Sequence, residues 1–430
     1  MAMRDVGRTV FDLQPGELFR RDASGNVEAD PGALLAGADL WKFGWKVLDR
    51  AAADGFTYHL APFASAGINE GNKREVAGRA FALERDSGTT RLFFVWLPGA
   101  LVDRMSKGTL LAPLNFHVIF HPPTRGPEYT GSQPYWKGKL PADGVAYYLR
   151  LGTRYLCSDF RAVAQHVMAL TDREPNLAYV VPVADLAGNL GDLTSPDGML
   201  GALTELNRTL STLLRPAGPV QFEKIGGVML SGYSRSGDRL VELMAQLGRK
   251  PFFTEHLMQV NAFDINLGDN DAQRLPQLAR LWEGVRQWAS FNRRARAFVY
   301  TAYRSHYQQC LASPPGSGWT DRIDVNLEQV SWSDSALKTV KGDERGTASE
   351  AYGVDGRFGL VCLPISFFRQ YLTNHEGGKR EVLGNPARGW HNADYDLEPR
   401  AHAHGLFLRG LMSHALAHAD PAFFAPRRVR

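Results

Sequence analysis

Val228-Met229-Leu230-Ser231-Gly232-Tyr233-Ser234-Arg235-Ser236-Gly237 is the stretch whose reading decides how the rest of this chain is understood. Residues 225–230 are apolar and include Gly226 and Gly227, the pattern of a buried strand that a neighbour approaches closely. Residues 238–247 follow with Leu240, Val241, Met244 and Leu247 at helical spacing. Ser234 stands between strand and helix, with Gly232 two positions before it and Ser236 two positions after. Small residues at those two places let the backbone double back tightly at the serine. Such a turn lifts the Ser234 hydroxyl above the sheet edge, at the positive end of the following helix. The plain alternative is a serine in an ordinary strand-to-helix loop.

Working outward, apolar runs and amphipathic runs alternate. Residues 75–80 and 91–97 flank a turn at Asp86-Ser87-Gly88 and read as an antiparallel hairpin. Residues 114–120 and 177–183 read as buried strands, with Pro182 limiting ladder bonding near the end of the second. Helical spacing predicts helices over 160–170, 199–214 and 275–288. Further strands are predicted over 256–263, 297–301 and 358–363, and a last helix over 405–419 with Pro421 beyond it. Alternating strands and helices from about 114 to 247 argue for a parallel sheet with helices on both faces.

The Gly232-Tyr233-Ser234-Arg235-Ser236 segment resembles the nucleophile elbow of the α/β-hydrolase family, whose pattern is G-x-S-x-G. Ser236 departs from that pattern in place of the last glycine, a change a small side chain tolerates. The resemblance implies an α/β-hydrolase-like, mainly parallel sheet with helices on both faces and insertions. It implies a serine hydrolase, carboxylesterase- or lipase-like, acting on a carboxylic ester or related acyl bond through an acyl-enzyme on Ser234. An acyltransferase or peptidase on the same site is an alternative, as is a non-catalytic binding protein of the same fold.

A serine hydroxyl needs a base, and the base needs a third group to orient it. In the family the chain order is serine, acid, histidine, so both partners are sought after residue 234. Asp264 ends the strand that follows the elbow unit, the edge at which ligands collect in open α/β sheets. The resemblance makes it the acid; a turn or capping residue is the other reading, and Asp269 and Asp271 are weaker candidates. His404 directly precedes the last helix and is the base implied, with His414, His402 and His391 behind it. His414 and His418 share a helix face, yet no Glu follows His414 as a zinc H-E-x-x-H motif requires. The backbone N–H of Arg235 is one expected oxyanion donor. In the family a loop after an earlier strand supplies the other. Here that loop is His121-Pro122-Pro123-Thr124-Arg125, whose prolines have no N–H. The donor falls to Thr124, with Arg125 or a side chain as alternatives, and His121 reads as a packed strand-end histidine or as part of the site.

Composition narrows the class. At 430 residues the formal net charge is only +4, and Lys and Arg are dispersed among acids, so no basic stripe argues for nucleic acid. No run reaches the roughly 18 apolar residues of a membrane span, and the first residues lack the apolar core of a signal peptide. Cys157, Cys310 and Cys362 are scattered and odd in number, as in a reduced cytoplasmic protein. No cofactor or metal is expected, and the partner is a small-molecule or lipid ester. The chain divides into an N-terminal segment, 1–110, whose antiparallel strands join the sheet, and a core domain, 111–310. A polar insertion or lid, 311–356, and a C-terminal part of the core, 357–430, follow.

Overall fold

The computed structural model describes residues 3–5, 19–21, 27–29, 78–85, 89, 92–122, 176–184, 189–215, 217–265, 271–301, 304–312, 319–325, 348–353, 356–362, 412, 415–416 and 418–424. Its centre is a mixed, mostly parallel sheet of eleven strands. In chain order the strands are β1 Met3–Asp5, β2 Phe19–Arg21, β3 Val27–Ala29, β4 Gly78–Arg85, β5 Leu92–Pro98, β6 Asn115–Phe120 and β7 Leu177–Pro182. They continue with β8 Val228–Tyr233, β9 Leu257–Phe263, β10 Arg296–Thr301, β11 Trp319–Val325, β12 Ala348–Gly353 and β13 Phe358–Cys362. Across the large sheet the order is β1-β4-β5-β7-β6-β8-β9-β10-β13-β12-β11, which puts β8 at the centre, while β2 and β3 pair separately. From β7 to β13 the neighbours are parallel; β1, β4 and β5 on one side and β12 and β11 on the other pair antiparallel.

Among the described residues five helices pack on this sheet: α1 Gly99–Lys107, α2 Pro196–Leu214, α3 Gly237–Met244, α4 Asp271–Phe291 and α5 Arg304–Ala312. Helix α2 starts three residues earlier than its apolar spacing predicts. Ser195 accepts from the Gly198 N–H at 3.1 Å and Pro196 takes the first helical position, so the cap rather than the apolar stripe sets the start. The stretch 311–356, expected to leave the sheet, contributes β11 and β12 to its edge. Edge strands need pairing on one side only, and an antiparallel edge tolerates polar sequence that a central parallel strand does not.

The two faces of the sheet differ in chemistry. One carries Phe93, Val95, Phe116, Val118, Phe120, Val180, Val228, Leu230, Val260, Ala262, Val299 and Leu360, which merge with buried residues of all five helices into one apolar core. Each fully buried Leu or Val there contributes roughly 1.5–3 kcal/mol. The residues that alternate with these point to the other face, where Ile119, Val181, Met229 and Val361 are joined by polar and aromatic side chains: Trp96, Tyr179, His117, Ser231, Asn261, Gln259, Phe263, Phe298 and Tyr300. Among the described residues, this second face meets the C-terminal segment rather than a full helix. Gln259 donates to the Ala415 carbonyl at 2.9 Å, and the His418 ring stands 5.7 Å from Phe298 and 5.8 Å from Tyr352.

A chain of buried hydrogen bonds runs across that second face. His117 Nε2 and Ser231 Oγ lie 2.7 Å apart, Asn261 donates to Ser231 Oγ at 3.1 Å, and Gln259 donates to Asn261 at 2.9 Å. His117 also rests against Tyr179, ring centroids 5.8 Å apart. Burial pushes the His117 imidazole down to about 3, so it is neutral at neutral pH.

The sign of the resulting pH dependence follows from linkage. Unfolded histidine binds its proton near 6.5, whereas His117 and the similarly buried His121, pushed down to about 4, stay neutral in the fold. Stability is therefore full above about pH 6.5 and falls as pH drops toward 4, by up to about 1.4 kcal/mol per pH unit for each histidine. Urea unfolding between pH 5 and 8 checks this: the midpoint should be flat above pH 7 and fall below 6.5. His117→Gln should have a shallower acid slope than the parent.

Candidate active site

The sheet reverses direction at its middle. From β6 the chain goes to β7 on one side, then crosses back past β6 to β8 on the other. In open α/β sheets the crevice at the carboxyl ends of strands flanking such a reversal is where ligands bind. Ser234 is the first residue beyond the carboxyl end of β8, on that edge.

The backbone at Ser234 is left-handed, with φ of 58°. For a residue with a Cβ this costs roughly 1–2 kcal/mol, and it persists only where the surroundings impose it. Three features impose it here. Strand β8 is buried throughout and paired on both sides. Helix α3 must pack Leu240, Leu243 and Met244 into the apolar core immediately afterwards. Leu240 folds back over Gly232 so closely that a Cβ on Gly232 would stand 2.6 Å from Leu240 Cδ1. Gly232 is thus required by its contact with the helix. Ser236 is buried, and its hydroxyl accepts from the Tyr233 N–H at 2.8 Å and donates to the Phe120 carbonyl. Its place in the pattern is more than tolerated: it ties the turn to β6. Sequence reasoning missed this, and the signal available was a hydroxyl where glycine is the pattern residue.

Asp264 is placed beside Ser234. Tyr233 and Phe263 are paired in the ladder of β8 and β9, so Ser234 and Asp264 are the first residues beyond the same rung, on strands that run about 4.8 Å apart. Asp264 is also left-handed, with φ of 43°, and it is buried. Its N–H donates to the Tyr300 carbonyl at 2.8 Å, which extends the pairing of β9 and β10 by one residue. Ser234 and Arg235 are half-buried. Arg235 follows the serine at the start of a short 3₁₀ turn, Ser234–Ser236, that leads into α3.

His121, at the end of β6, is a packed strand-end residue. Its Nε2 accepts from the Ala184 N–H at 3.0 Å, which leaves Nδ1 as the protonated nitrogen, 2.8 Å from the Pro122 carbonyl. It clamps the ends of β6 and β7, and burial pushes it down to about 4 although the Pro122 carbonyl opposes the shift. A base for Ser234 needs an accepting nitrogen aimed at the serine, and this ring has none to spare.

His404, Thr124, Arg125, Asp269, His391, His402 and His414 lie outside the described residues, and the side chain of Asp271 does too. His418, the partner considered for His414, stacks on Tyr352. Among the described residues no three His, Cys, Asp or Glu side chains gather as a metal site would require. No helix among them is long and apolar enough to cross a membrane. Cys310 and Cys362 are buried in the apolar core and in no disulfide, and burial pushes the Cys310 thiol up.

Comparison with family models, with curated proteins and with solved structures gave no match.

Two substitutions separate strain from packing at the turn. Ser234→Gly relieves the left-handed cost and should make the protein more stable than Ser234→Ala by about 1 kcal/mol. Gly232→Ala forces a methyl against Leu240 and should destabilise by about 1–3 kcal/mol. Both are read as shifts of the urea midpoint at constant slope.

Proposed function

We propose that the chain is a serine hydrolase of the α/β-hydrolase type, acting on a carboxylic ester or related acyl bond. The observation that carries this reading is the left-handed backbone of Ser234 at a central strand-to-helix turn. Strain of that kind on a non-glycine residue, at the crevice edge of an α/β sheet, belongs with function more than with packing. Antiparallel strands ahead of a parallel series, with the serine strand in the middle, support the α/β-hydrolase form of the reading.

In this reading Ser234 attacks the acyl carbon and a histidine accepts its proton. Asp264, one strand over at the next rung, holds that imidazole in the neutral tautomer and stabilises the cation that forms. A ring seated above the Ser234–Asp264 pair has one nitrogen for each partner. His404 remains the base implied by the resemblance, since His117 and His121 are committed to buried hydrogen bonds. The Arg235 N–H is one oxyanion donor and Thr124 the other. Water then cleaves the acyl-enzyme, and no cofactor takes part. One observation favours the second reading, a binding protein of the same fold: Pro122, two residues beyond β6, brings no N–H to the loop from which the second donor comes.

A fluorophosphonate probe separates the two. It should label Ser234 alone, and Ser234→Ala should lose labelling and on the order of a thousandfold or more in turnover of a p-nitrophenyl ester. Asp264→Asn should lose a smaller but large factor, and His404→Ala should abolish acylation. Unchanged turnover in Ser234→Ala overturns the reading. Full activity in His404→Ala together with loss in His414→Ala moves the base to His414 and leaves the rest standing.

A further inference from the structure

We infer that Ser236 is a positioning residue for hydrolysis, holding the nucleophile turn in register with the loop that follows β6. The inference rests on the serine-hydrolase reading and extends it to a residue that does not touch the substrate.

The ladder between β6 and β8 ends at the pair Phe120 and Gly232. Beyond that rung the two strands part: β8 turns at Ser234 into α3, and β6 runs into His121 and Pro122. These two departures are where the site's parts originate, the nucleophile on one and the loop with the second oxyanion donor on the other. The Ser236 hydroxyl joins them. It accepts from the N–H of Tyr233, the residue before the nucleophile, and its one proton goes to the carbonyl of Phe120, the last residue of β6. The Tyr233 carbonyl, 2.8 Å away, is a second acceptor within reach. The side chain therefore adds one rung to the ladder where the backbone can no longer supply it.

Burial makes that rung rigid. Ser236 is 1% exposed, so water does not compete for these groups. A glycine at this place, as in the family pattern, offers neither the donor nor the acceptor. Electrostatic stabilisation of an oxyanion depends on donors fixed in advance relative to the attacking oxygen. Loosening the rung therefore lowers the rate of attack on a bound ester more than it weakens the ester's binding.

The test compares wild type, Ser236→Ala, Ser236→Thr and Ser234→Ala. It reads the fluorophosphonate labelling rate, kcat and KM on p-nitrophenyl butyrate, and the urea midpoint. Ser236→Ala should lose on the order of tenfold to a hundredfold in labelling rate and kcat, with KM within about twofold of wild type. Ser236→Thr, which keeps the hydroxyl, should recover most of that loss. A folded Ser236→Ala that labels and turns over at the wild-type rate overturns the inference. So does a Ser236→Thr that is folded and as slow as Ser236→Ala. Should Ser236→Ala not fold, Ser236→Gly is read in its place, with the same drop supporting the inference and wild-type rates overturning it. Ser234→Ala distinguishes the failures: activity retained there removes the hydrolase reading itself. Loss there with an unaltered Ser236→Ala removes only the role of Ser236.

Discussion

The structure around the candidate site depends on one constraint: β8 must become α3 within the three residues of the Ser234–Ser236 turn. Ser234 meets it by adopting a left-handed backbone. The energetics are one-sided. The strain costs roughly 1–2 kcal/mol, whereas burying Leu240, Leu243 and Met244 of α3 contributes about 1.5–3 kcal/mol each. Relaxing the turn would swing that helix off the apolar face. The fold thus holds a serine in a conformation serine avoids, and it presents that serine at the edge of the sheet where the strand order reverses.

The division of the sheet into an apolar face and a polar, aromatic face bears directly on the chemistry. On the polar face His117 is locked to Ser231, which is held in turn by Asn261 and Gln259. At the edge His121 is locked to Ala184 and Pro122. Burial keeps both rings neutral at neutral pH, the protonation state a base requires. The His117 Nε2 is engaged by Ser231 and both nitrogens of His121 are engaged, so the neutral state serves the packing of the sheet. In the proposed reading the base for Ser234 comes from the sequence after β13, where the resemblance places it.

Ser234 and Asp264 illustrate how strain and register reinforce each other. Two neighbouring parallel strands each end in a left-handed, non-glycine residue one step beyond a shared rung. Aspartate enters the left-handed region at modest cost through local hydrogen bonding, whereas serine does so less readily, so the strain lies chiefly at Ser234. In the proposed reading Ser234 is the nucleophile and Asp264, beside it, the orienting carboxylate.

Much of the architecture was legible in the chain itself. The apolar-rich runs at 114–120, 177–183, 225–230 and 256–263 read as strands, with the alternating helical spacing arguing for parallel neighbours, and strands stand at 115–120, 177–182, 228–233 and 257–263. The small residues around Ser234 announced the tight turn, and the position of Asp264 at a strand end announced a residue at the crevice edge. Other features lay beyond reach of a linear reading. The polar sequence of 319–325 and 348–353 looked like an excursion because edge pairing leaves no apolar signature; only the sheet's open side gave those segments a partner. Ser236 looked like a tolerated substitution because its role lies in a hydrogen bond to Phe120, more than a hundred residues away in sequence. The local choices of strand, turn and helix follow from residue types and spacing, which the sequence by itself determines. Whether a hydroxyl is a spectator or a rung, and whether an aspartate stands alone or beside a serine, was decided by the tertiary structure, because register between distant strands brings those atoms together.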